Sequence, residues 1–262
     1  MKKNVLLIAV FSFFFYSGSV FSEPTVQEIV NKANNVSFYQ GKDGKASISM
    51  TISDNQGRTR KRVFKILRFD IADGGNQKFF VYFSAPADVE NMVYMVWKNV
   101  DGNDDRWMYL PALDLVRRIA ATDKRSSFVG SDFVYEDISG RSLELDTHEL
   151  VSSEQDTYKI RNTPKNSNEV EFAYFDVYIR KDNFMPYKAE YFNKKNKLYR
   201  TIEALEIKDI NGFPTVLKSK ATDIEKGSNT IIEFSEVEYD LGFEENIFTE
   251  RFLRRPPRKW LK

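Results

Sequence analysis

The sequence has no cysteine and a single histidine, His148, among its 262 residues. Without cysteine the chain can form no disulfide bridge, no thiolate nucleophile and no lipid anchor through sulfur. A zinc site would also lack its usual ligands, so we predict no metal site. The fold must therefore rest on its hydrophobic core, and a chain of this length can bury roughly 70% of its unfolded surface.

An excess of one charge sign is missing too, because 39 Lys and Arg stand against 38 Asp and Glu. A general nucleic-acid-binding protein carries a basic excess, so we exclude that function. The sequence has no G-x-S-x-G nucleophile elbow and no glycine-rich phosphate loop after a strand. Gly130-Ser131-Asp132 superficially suggests a nucleophile, but the sequence places no base beside it. We predict no catalytic residue, no cofactor and no enzymatic activity, with His148 at the surface.

Long apolar runs are absent except at the start of the chain. Lys2 and Lys3 precede a short apolar run, and small residues occupy the −3 and −1 positions of a cut after Ser22. This pattern is typical of a cleaved secretory signal and is too short for a comfortable membrane span. We predict a signal peptide over residues 1–22 and a single domain over residues 23–262.

One amphipathic helix is predicted directly after the signal peptide. Thr25 and Glu28 have the spacing of a capping box. The apolar residues that follow recur at helical intervals: Val26, Ile29, Val30 and Ala33.

The rest of the chain has a period of two, which is typical of half-buried antiparallel strands. Alternation and turn residues predict about a dozen strands, over residues 46–52, 58–69, 77–83, 92–98, 106–110, 115–119, 157–162, 170–181, 185–192, 198–208, 215–223 and 229–239. A flat sheet of this width leaves long exposed edges, so the sheet must curl or close. The predicted fold is mainly β with a few helices.

Residues 111–142 interrupt the strands with turn residues, charges and aromatic side chains. A connection of this length in a compact domain is usually a functional or covering element. Ser131 and Asp132 are predicted to cap a short helix that holds Phe133 and Tyr135. Alternatively, these aromatic residues simply plug one end of a barrel.

Residues 107–137 carry the pattern W-x-Y-L-P-A-L…R-R-I…S-F-x-G-S-D-F-x-Y-E-D, which resembles the outer membrane lipoprotein-sorting protein family, the LolA-like periplasmic carriers. The matching residues are Trp107, Tyr109 to Leu113, Arg117 to Ile119, Ser127, Phe128, Gly130 to Phe133, and Tyr135 to Asp137. The resemblance implies an unclosed, or half, antiparallel β-barrel with a helical lid and an apolar cavity for acyl chains. It also implies a periplasmic location in a Gram-negative cell, with an inner-membrane transporter and an outer-membrane acceptor as partners.

The candidate cavity residues are apolar or aromatic and lie on predicted strands or in the 111–142 connection. They are Ala46, Ile48, Met50, Ile52, Met92, Tyr94, Val96, Trp107, Tyr109, Phe128, Phe133 and Tyr135. Alternation leaves open whether Phe64 and Ile66 or Leu67 and Phe69 face inward. Each candidate has the alternative role of ordinary core.

The polar candidates are Arg117, Arg118, Ser131 and Asp132. Adjacent strand residues face opposite ways, so at most one of the two arginines points into the cavity. It would bind a lipid phosphate or a partner's carboxylate; the alternative is a solvated strand edge. The C-terminal stretch begins as a possible short helix at Glu244. Its basic end contacts an anionic membrane surface or an inner-membrane partner, or is disordered: Arg254, Arg255, Arg258 and Lys259 with Trp260.

The function expected from these observations is a periplasmic carrier that binds acyl chains of lipoproteins or lipids and shuttles them between the two membranes. The alternative is a lipid or lipoprotein sensor, or an accessory protein of an inner-membrane exporter. A carrier needs a deep continuous cavity and reversible release, whereas a sensor could use a shallower site and would hold a stable protein partner.

Overall fold

The computed structural model describes residues 23–261, so the predicted signal peptide lies outside the described residues. The strands are β1 (Asp43–Ser53), β2 (Thr59–Asp70), β3 (Gln77–Ala85), β4 (Val93–Lys98), β5 (Asp105–Leu110), β6 (Leu115–Ile119), β7 (Asp146–Ser153), β8 (Thr157–Pro164), β9 (Phe172–Arg180), β10 (Pro186–Asn193), β11 (Leu198–Ile210), β12 (Phe213–Asp223) and β13 (Ser228–Tyr239). The α-helices are α1 (Val26–Phe38), α2 (Tyr135–Ser139) and α3 (Arg251–Arg254). Short 3-10 turns occupy Pro111–Leu113, Ala121–Arg125, Leu143–Leu145, Ser167–Glu169 and Glu245–Ile247.

All thirteen strands belong to one antiparallel sheet with the order β6-β5-β4-β3-β2-β1-β13-β12-β11-β10-β9-β8-β7. The two ends of this order, β6 and β7, do not pair with each other, so the sheet is an unclosed barrel, as the family resemblance implies. The first and last strands of the chain, β1 and β13, meet in the middle of the sheet. Within the described residues, no helix is long and apolar enough to cross a bilayer.

The predicted helix at the start of the mature chain is confirmed as α1. The backbone N–H of Thr25 donates to the Glu28 carboxylate over 2.7 Å, and the N–H of Glu28 donates to the Thr25 hydroxyl over 3.3 Å. This capping box satisfies N–H groups that have no partner inside the helix. The buried face packs against side chains of β8 and β9: Ile29, Val30 and Ala33 meet Tyr158, Ile160 and Ile179.

Thr25→Ala is expected to lower the free energy of unfolding by about 1 kcal/mol, because it removes the side-chain acceptor of the cap. Urea denaturation followed by circular dichroism measures the change. Thr122→Ala is the matched control, since Thr122 is exposed, and it should change stability by less than about 0.5 kcal/mol. Equal losses in the two variants would contradict the role of the cap.

The predicted strands are confirmed, with shifts of a few residues at their ends. The period of two in β1 gives alternating buried and half-buried positions, because one face of the strand packs in the core. Strand β7 was missed. It is an edge strand, and its sequence DTHELVSS carries little apolar alternation. His148 lies on β7, half-buried rather than at the open surface, with Nδ1 2.7 Å from the Asn162 side-chain oxygen.

The sheet has an inner face, which carries α1 and residues such as Ile48 and Tyr94, and an outer face, which is covered by the C-terminal segment. After β13 the Asp43 carboxylate accepts hydrogen bonds from the N–H groups of Leu241 and Phe243, over 2.6 and 2.8 Å. These bonds turn the chain onto the outer face. The segment then buries apolar side chains against the strands: Phe243, Ile247, Phe248 and Leu253 pack with Leu67, Phe80, Val93, Met95 and Trp107.

The disordered basic end, one of the two sequence interpretations, is wrong for the described C-terminal residues. The Trp260 ring lies 4.8 Å from the Phe243 ring, measured between centroids, and Leu253 is fully buried. The possible helix at Glu244 is instead a 3-10 turn followed by the single-turn helix α3. Apolar residues spaced among the basic ones anchor this segment to the sheet.

Residues 120–142, here called the plug segment, fill part of the inner face. Phe128 is fully buried, with its ring 5.4 Å from that of Tyr94 and 6.2 Å from that of Phe64. Packing of this kind excludes water from the sheet beneath the segment. The aromatic residues therefore act as the covering element that the length of the connection predicts.

The predicted cap of the plug helix is wrong. Helix α2 begins at Tyr135, so Phe133 precedes it, and the Asp137 carboxylate accepts the N–H of Val134 over 2.7 Å. The Ser131 hydroxyl instead donates to the carbonyl of Phe128. The Asp132 carboxylate instead accepts hydrogen bonds from the hydroxyl groups of Ser228 and Thr230 on β13.

Candidate functional site

A cavity of about 400 Å³ opens on the inner face, between the sheet, the end of α1 and the plug segment. Its walls come from β1, β2 and β3 on one side and from β9 to β13 on the other. Apolar side chains dominate the lining, among them Phe64, Val177, Ile202, Ala204, Ile232 and Phe234. Its size lies within the range of small-molecule sites in proteins, about 300–1,000 Å³.

Three of the candidate cavity residues lie on the wall of this cavity: Ala46, Ile48 and Phe133. Seven others are buried in the core under or within the plug segment and do not line the cavity. These are Met50, Ile52, Met92, Tyr94, Val96, Phe128 and Tyr135. The plug segment therefore divides the inner face into a filled part and an open part.

Trp107 and Tyr109 lie on the outer face of the sheet, among the residues that the C-terminal segment covers. They pair with Met95 and Val93, whose side chains share that face. Alternation left open which pair of side chains on β2 faces inward, and the structure resolves this. Phe64 and Ile66 line the cavity, whereas Leu67 and Phe69 belong to the outer face.

Several lining residues on the C-terminal strands were not singled out from the sequence. Ile202 and Ala204 on β11, and Ile232 and Phe234 on β13, supply one long wall of the cavity. In both strands these residues alternate with polar ones, so the period of two in the sequence could have identified them as lining residues. Val36 and Phe38 on α1 and Ile138 on α2 also line the cavity, and their positions depend on tertiary packing.

Buried ion pairs fix the plug segment beside the cavity. The Glu136 carboxylate accepts hydrogen bonds from the guanidinium groups of Arg125 and Arg141, each over 3.1 Å, and the whole residue is only 3% exposed. Arg125 also donates to Glu171 over 2.6 Å, and Arg141 donates to Asp146 over 2.8 Å. Burial disfavours the charge of Arg125, but the hydrogen bond to Glu171 together with the charge interactions with Tyr191, Asp137 and Glu171 more than offsets this and raises its pKa. No periodic pattern in the sequence predicts this network.

A second set of polar contacts ties the plug segment to β11 and β13. The Asp132 carboxylate accepts the Thr230 hydroxyl over 2.7 Å, and the Thr230 hydroxyl oxygen accepts the N–H of Asp132 over 3.0 Å. Arg200 donates to the Asp132 carbonyl over 3.2 Å and to the Asp137 carboxylate. Asp132 and Ser131 are therefore structural groups of the plug segment, with their polar atoms engaged inside the chain.

The end of α1 and the end of α2 are held together at one end of the cavity. The Gln77 side chain donates to the Phe38 carbonyl over 2.6 Å, and the Lys98 ammonium donates to the Ser139 carbonyl over 2.7 Å. Burial lowers the pKa of Lys98 to about 8, and burial raises the pKa of Asp70, which accepts from Gln77, to about 6. This end of the cavity is thus a polar, hydrogen-bonded junction of both helices with the sheet.

Arg117 and Arg118 do not line the cavity. Both are exposed on the edge strand β6. Arg118 pairs with Asp105, and its guanidinium lies 5.6 Å from the Trp107 ring on the outer face. Arg117 pairs across the strands with Met108, whose side chain belongs to the inner-face core. The arrangement matches the solvated strand edge that the sequence analysis left open.

No cluster of three or more His, Asp or Glu side chains that could hold a metal ion occurs within residues 23–261. What the cavity offers is an apolar surface of moderate size with a polar junction at one end. Such a surface binds an apolar chain by removing it from water, a non-directional attraction that needs no reactive group.

Comparison with known proteins places this geometry in a family. A family model described as an uncharacterized protein matches residues 75–255. Among curated proteins no match is found. A DUF1329 family protein from Desulfovibrio piger is 29% identical over 87% of this chain and 98% of its own, with a TM-score of 0.79.

Two further solved structures carry family descriptions. A putative outer membrane lipoprotein-sorting protein domain from Vibrio parahaemolyticus is 25% identical over 87% of this chain and 96% of its own, with a TM-score of 0.78. The LolA superfamily protein NE2245 from Nitrosomonas europaea, 19% identical over 88% of this chain and 100% of its own, has the same fold with a TM-score of 0.68. The chain belongs to the LolA-like family of outer membrane lipoprotein-sorting proteins.

Proposed function

We propose that the chain is a periplasmic carrier that binds acyl chains of lipoproteins or lipids in the inner-face cavity and shuttles them between the inner and outer membranes. The observation that carries the proposal is the open cavity of about 400 Å³ with apolar walls. The family relationship supports the same function. The proposal includes the signal peptide over residues 1–22 and a single domain over residues 23–262, and it contains no catalytic step.

The energetics of lipid transfer favour a passive cavity of this kind. Exposing an acyl chain of roughly sixteen carbons to water costs on the order of 13 kcal/mol, at about 0.8 kcal/mol per methylene. An apolar cavity replaces one apolar environment with another, so the net free energy of transfer is small. Handover then needs only a modest difference in affinity between carrier and acceptor. An inner-membrane transporter and an outer-membrane acceptor are the partners that would provide this difference.

The charged residues of the lining also suit an uncharged cargo segment. Lys45 pairs with Glu238 over 2.9 Å, and Lys188 pairs with Glu190 over 2.6 Å. The remaining charged lining residues, Arg68 and Asp137, are paired with Asp70 and Arg200. Because these charges are already compensated within the chain, the cavity presents mainly its apolar surface to a ligand. An acyl chain therefore fits better than a charged head group.

Native mass spectrometry of the protein, purified gently from a Gram-negative periplasm, tests this proposal. We expect a bound species that extracts into organic solvent and contains acyl chains, and we expect the emptied protein to take up a fluorescent acyl probe. A clean protein mass together with no uptake of the probe would contradict the carrier function. That result would favour the alternative of a sensor with a stable protein partner.

A further inference from the structure

The tip of the β5–β6 hairpin projects an apolar side chain into solvent. Leu113 is 70% exposed, and Leu115, at the start of β6, is 46% exposed. The backbone at Asp114 is left-handed, with φ of 44°, and closes the tight turn that holds Leu113 outward. An isolated exposed leucine on a protein surface is ordinary. The residues around Leu113 distinguish it from such an isolated leucine.

The hairpin tip is joined to the basic C-terminal segment. The Arg254 Nε donates to the Asp114 carboxylate over 2.9 Å, and another guanidinium nitrogen donates to the Asp114 carbonyl over 3.2 Å. The same guanidinium lies 5.7 Å from the centre of the Tyr109 ring. These contacts place the exposed leucine beside helix α3 and the residues that follow it.

Residues 251–261 contain five basic residues and no acidic one: Arg251, Arg254, Arg255, Arg258 and Lys259. All five are exposed. The buried residues of this segment are Leu253 and Pro257. Of the five, only Arg254 forms an ion pair with another described residue, Asp114. Such a run of like charges repels itself.

We propose that this basic patch, formed by the five basic residues together with Leu113 and Leu115, docks the protein on an anionic lipid surface. Each basic residue near such a surface strengthens binding by about fivefold, which corresponds to the usual contribution per charge. Guanidinium groups bind phosphate oxygens in pairs of hydrogen bonds, and Leu113 adds a side chain that enters the apolar boundary of the bilayer.

The shape of the patch favours a lipid surface over a protein partner. Protein interfaces are built around buried aromatic or arginine anchors that fit pockets, with few uncompensated charges at the centre. Here the apolar part is a projecting hairpin tip, and the five basic residues beside it outnumber the one acidic residue of the tip, Asp114, which is already paired with Arg254. None of the seven residues lines the cavity, so the docking surface is separate from the proposed cargo site.

Sedimentation with lipid vesicles tests the proposal with the purified protein. We expect binding to vesicles of phosphatidylglycerol and phosphatidylcholine in equal amounts, weak binding to pure phosphatidylcholine, and a loss of binding as salt is added. The double variant Arg255→Glu with Arg258→Glu should bind the anionic vesicles more than about tenfold more weakly. Leu113→Ser should weaken binding several-fold and leave the salt dependence in place.

The matched control is Lys195→Glu with Lys197→Glu, which makes the same charge change in the exposed turn between β10 and β11. It should keep most of the binding, and both double variants should retain uptake of the fluorescent acyl probe. The proposal is overturned if the wild-type protein ignores anionic vesicles, if neutral vesicles bind equally well, or if the control loses as much binding as the test variant. Failure of probe uptake in the wild-type protein would instead contradict the carrier function alone.

Discussion

Glu136→Gln is expected to lower the free energy of unfolding by about 3 kcal/mol, the size of effect that follows when one partner of a buried ion pair is removed. The Glu136 side chain is 4% exposed and lies between the guanidinium groups of Arg125 and Arg141. Glutamine has the same shape as glutamate but no charge. It therefore no longer compensates the positive charges of the two buried guanidinium groups. The melting temperature should fall by roughly 10 °C in a domain of this size.

The control for this variant is Glu169→Gln, which makes the same chemical change on an exposed side chain. Glu169 is 54% exposed and lies 3.8 Å from the ammonium group of Lys124, which also lies near Glu136. Exposed pairs of this kind contribute little, so the control should change stability by less than about 0.5 kcal/mol. Thermal unfolding by calorimetry compares the two. An equal response would show that the buried network does not hold the plug segment.

Ala204→Trp is expected to weaken binding of an acyl probe about a hundredfold. The indole would occupy the cavity from the β11 wall, and excluding about four methylenes from the site removes about 3 kcal/mol of binding free energy. The fold should tolerate the change, because Ala204 is only half-buried and faces open space. Fluorescence titration gives the dissociation constant, and urea denaturation checks that stability has changed by less than about 1.5 kcal/mol.

Ala87→Trp provides the matched control for the cavity experiment. Ala87 is exposed in the connection between β3 and β4 and does not line the cavity. The Ala87→Trp variant should leave the affinity for the probe unchanged. It also shows directly how an added surface tryptophan affects the fluorescence signal. If the Ala204 variant stays folded and binds the probe as tightly as the wild-type protein, the cavity is not the acyl-chain site.

Alternation and turn chemistry were enough to predict most of the fold, because one face of most strands packs in the core and the other is more exposed. Strand β1 shows this clearly, with Ala46 to Ile52 alternating as predicted. The signal weakens where both faces are covered. In β3 and β4 nearly every residue is buried, since the plug segment covers one side and the C-terminal segment the other. In the neighbouring strand β5, three consecutive residues from Arg106 to Met108 are also buried, so alternation cannot assign Trp107 or Tyr109 to a face.

The cavity itself was less predictable than the strands that form it. Ile48 and Met50 belong to the same face of β1, yet Ile48 lines the cavity whereas Met50 is part of the core that the plug segment covers. The difference depends on where the plug segment comes to rest, which is set by Glu136, Asp132 and Arg200. The contacts of Asp132 with Thr230 and of Arg200 with Asp137 join residues 98 and 63 positions apart in the chain, and local periodicity carries no information about them.

The pairing of β1 with β13 has a consequence for the order in which the protein can be assembled. The side chains of Ser47 and Glu236, which bond across this pair, are 189 residues apart. A ribosome must therefore synthesise β13, residues Ser228–Tyr239, before β1 gains its second neighbour. Until then the middle of the future sheet is an exposed edge, which is the kind of edge that invites aggregation. A nascent chain of this topology keeps that edge open for longer than one whose strands pair only with their neighbours in sequence.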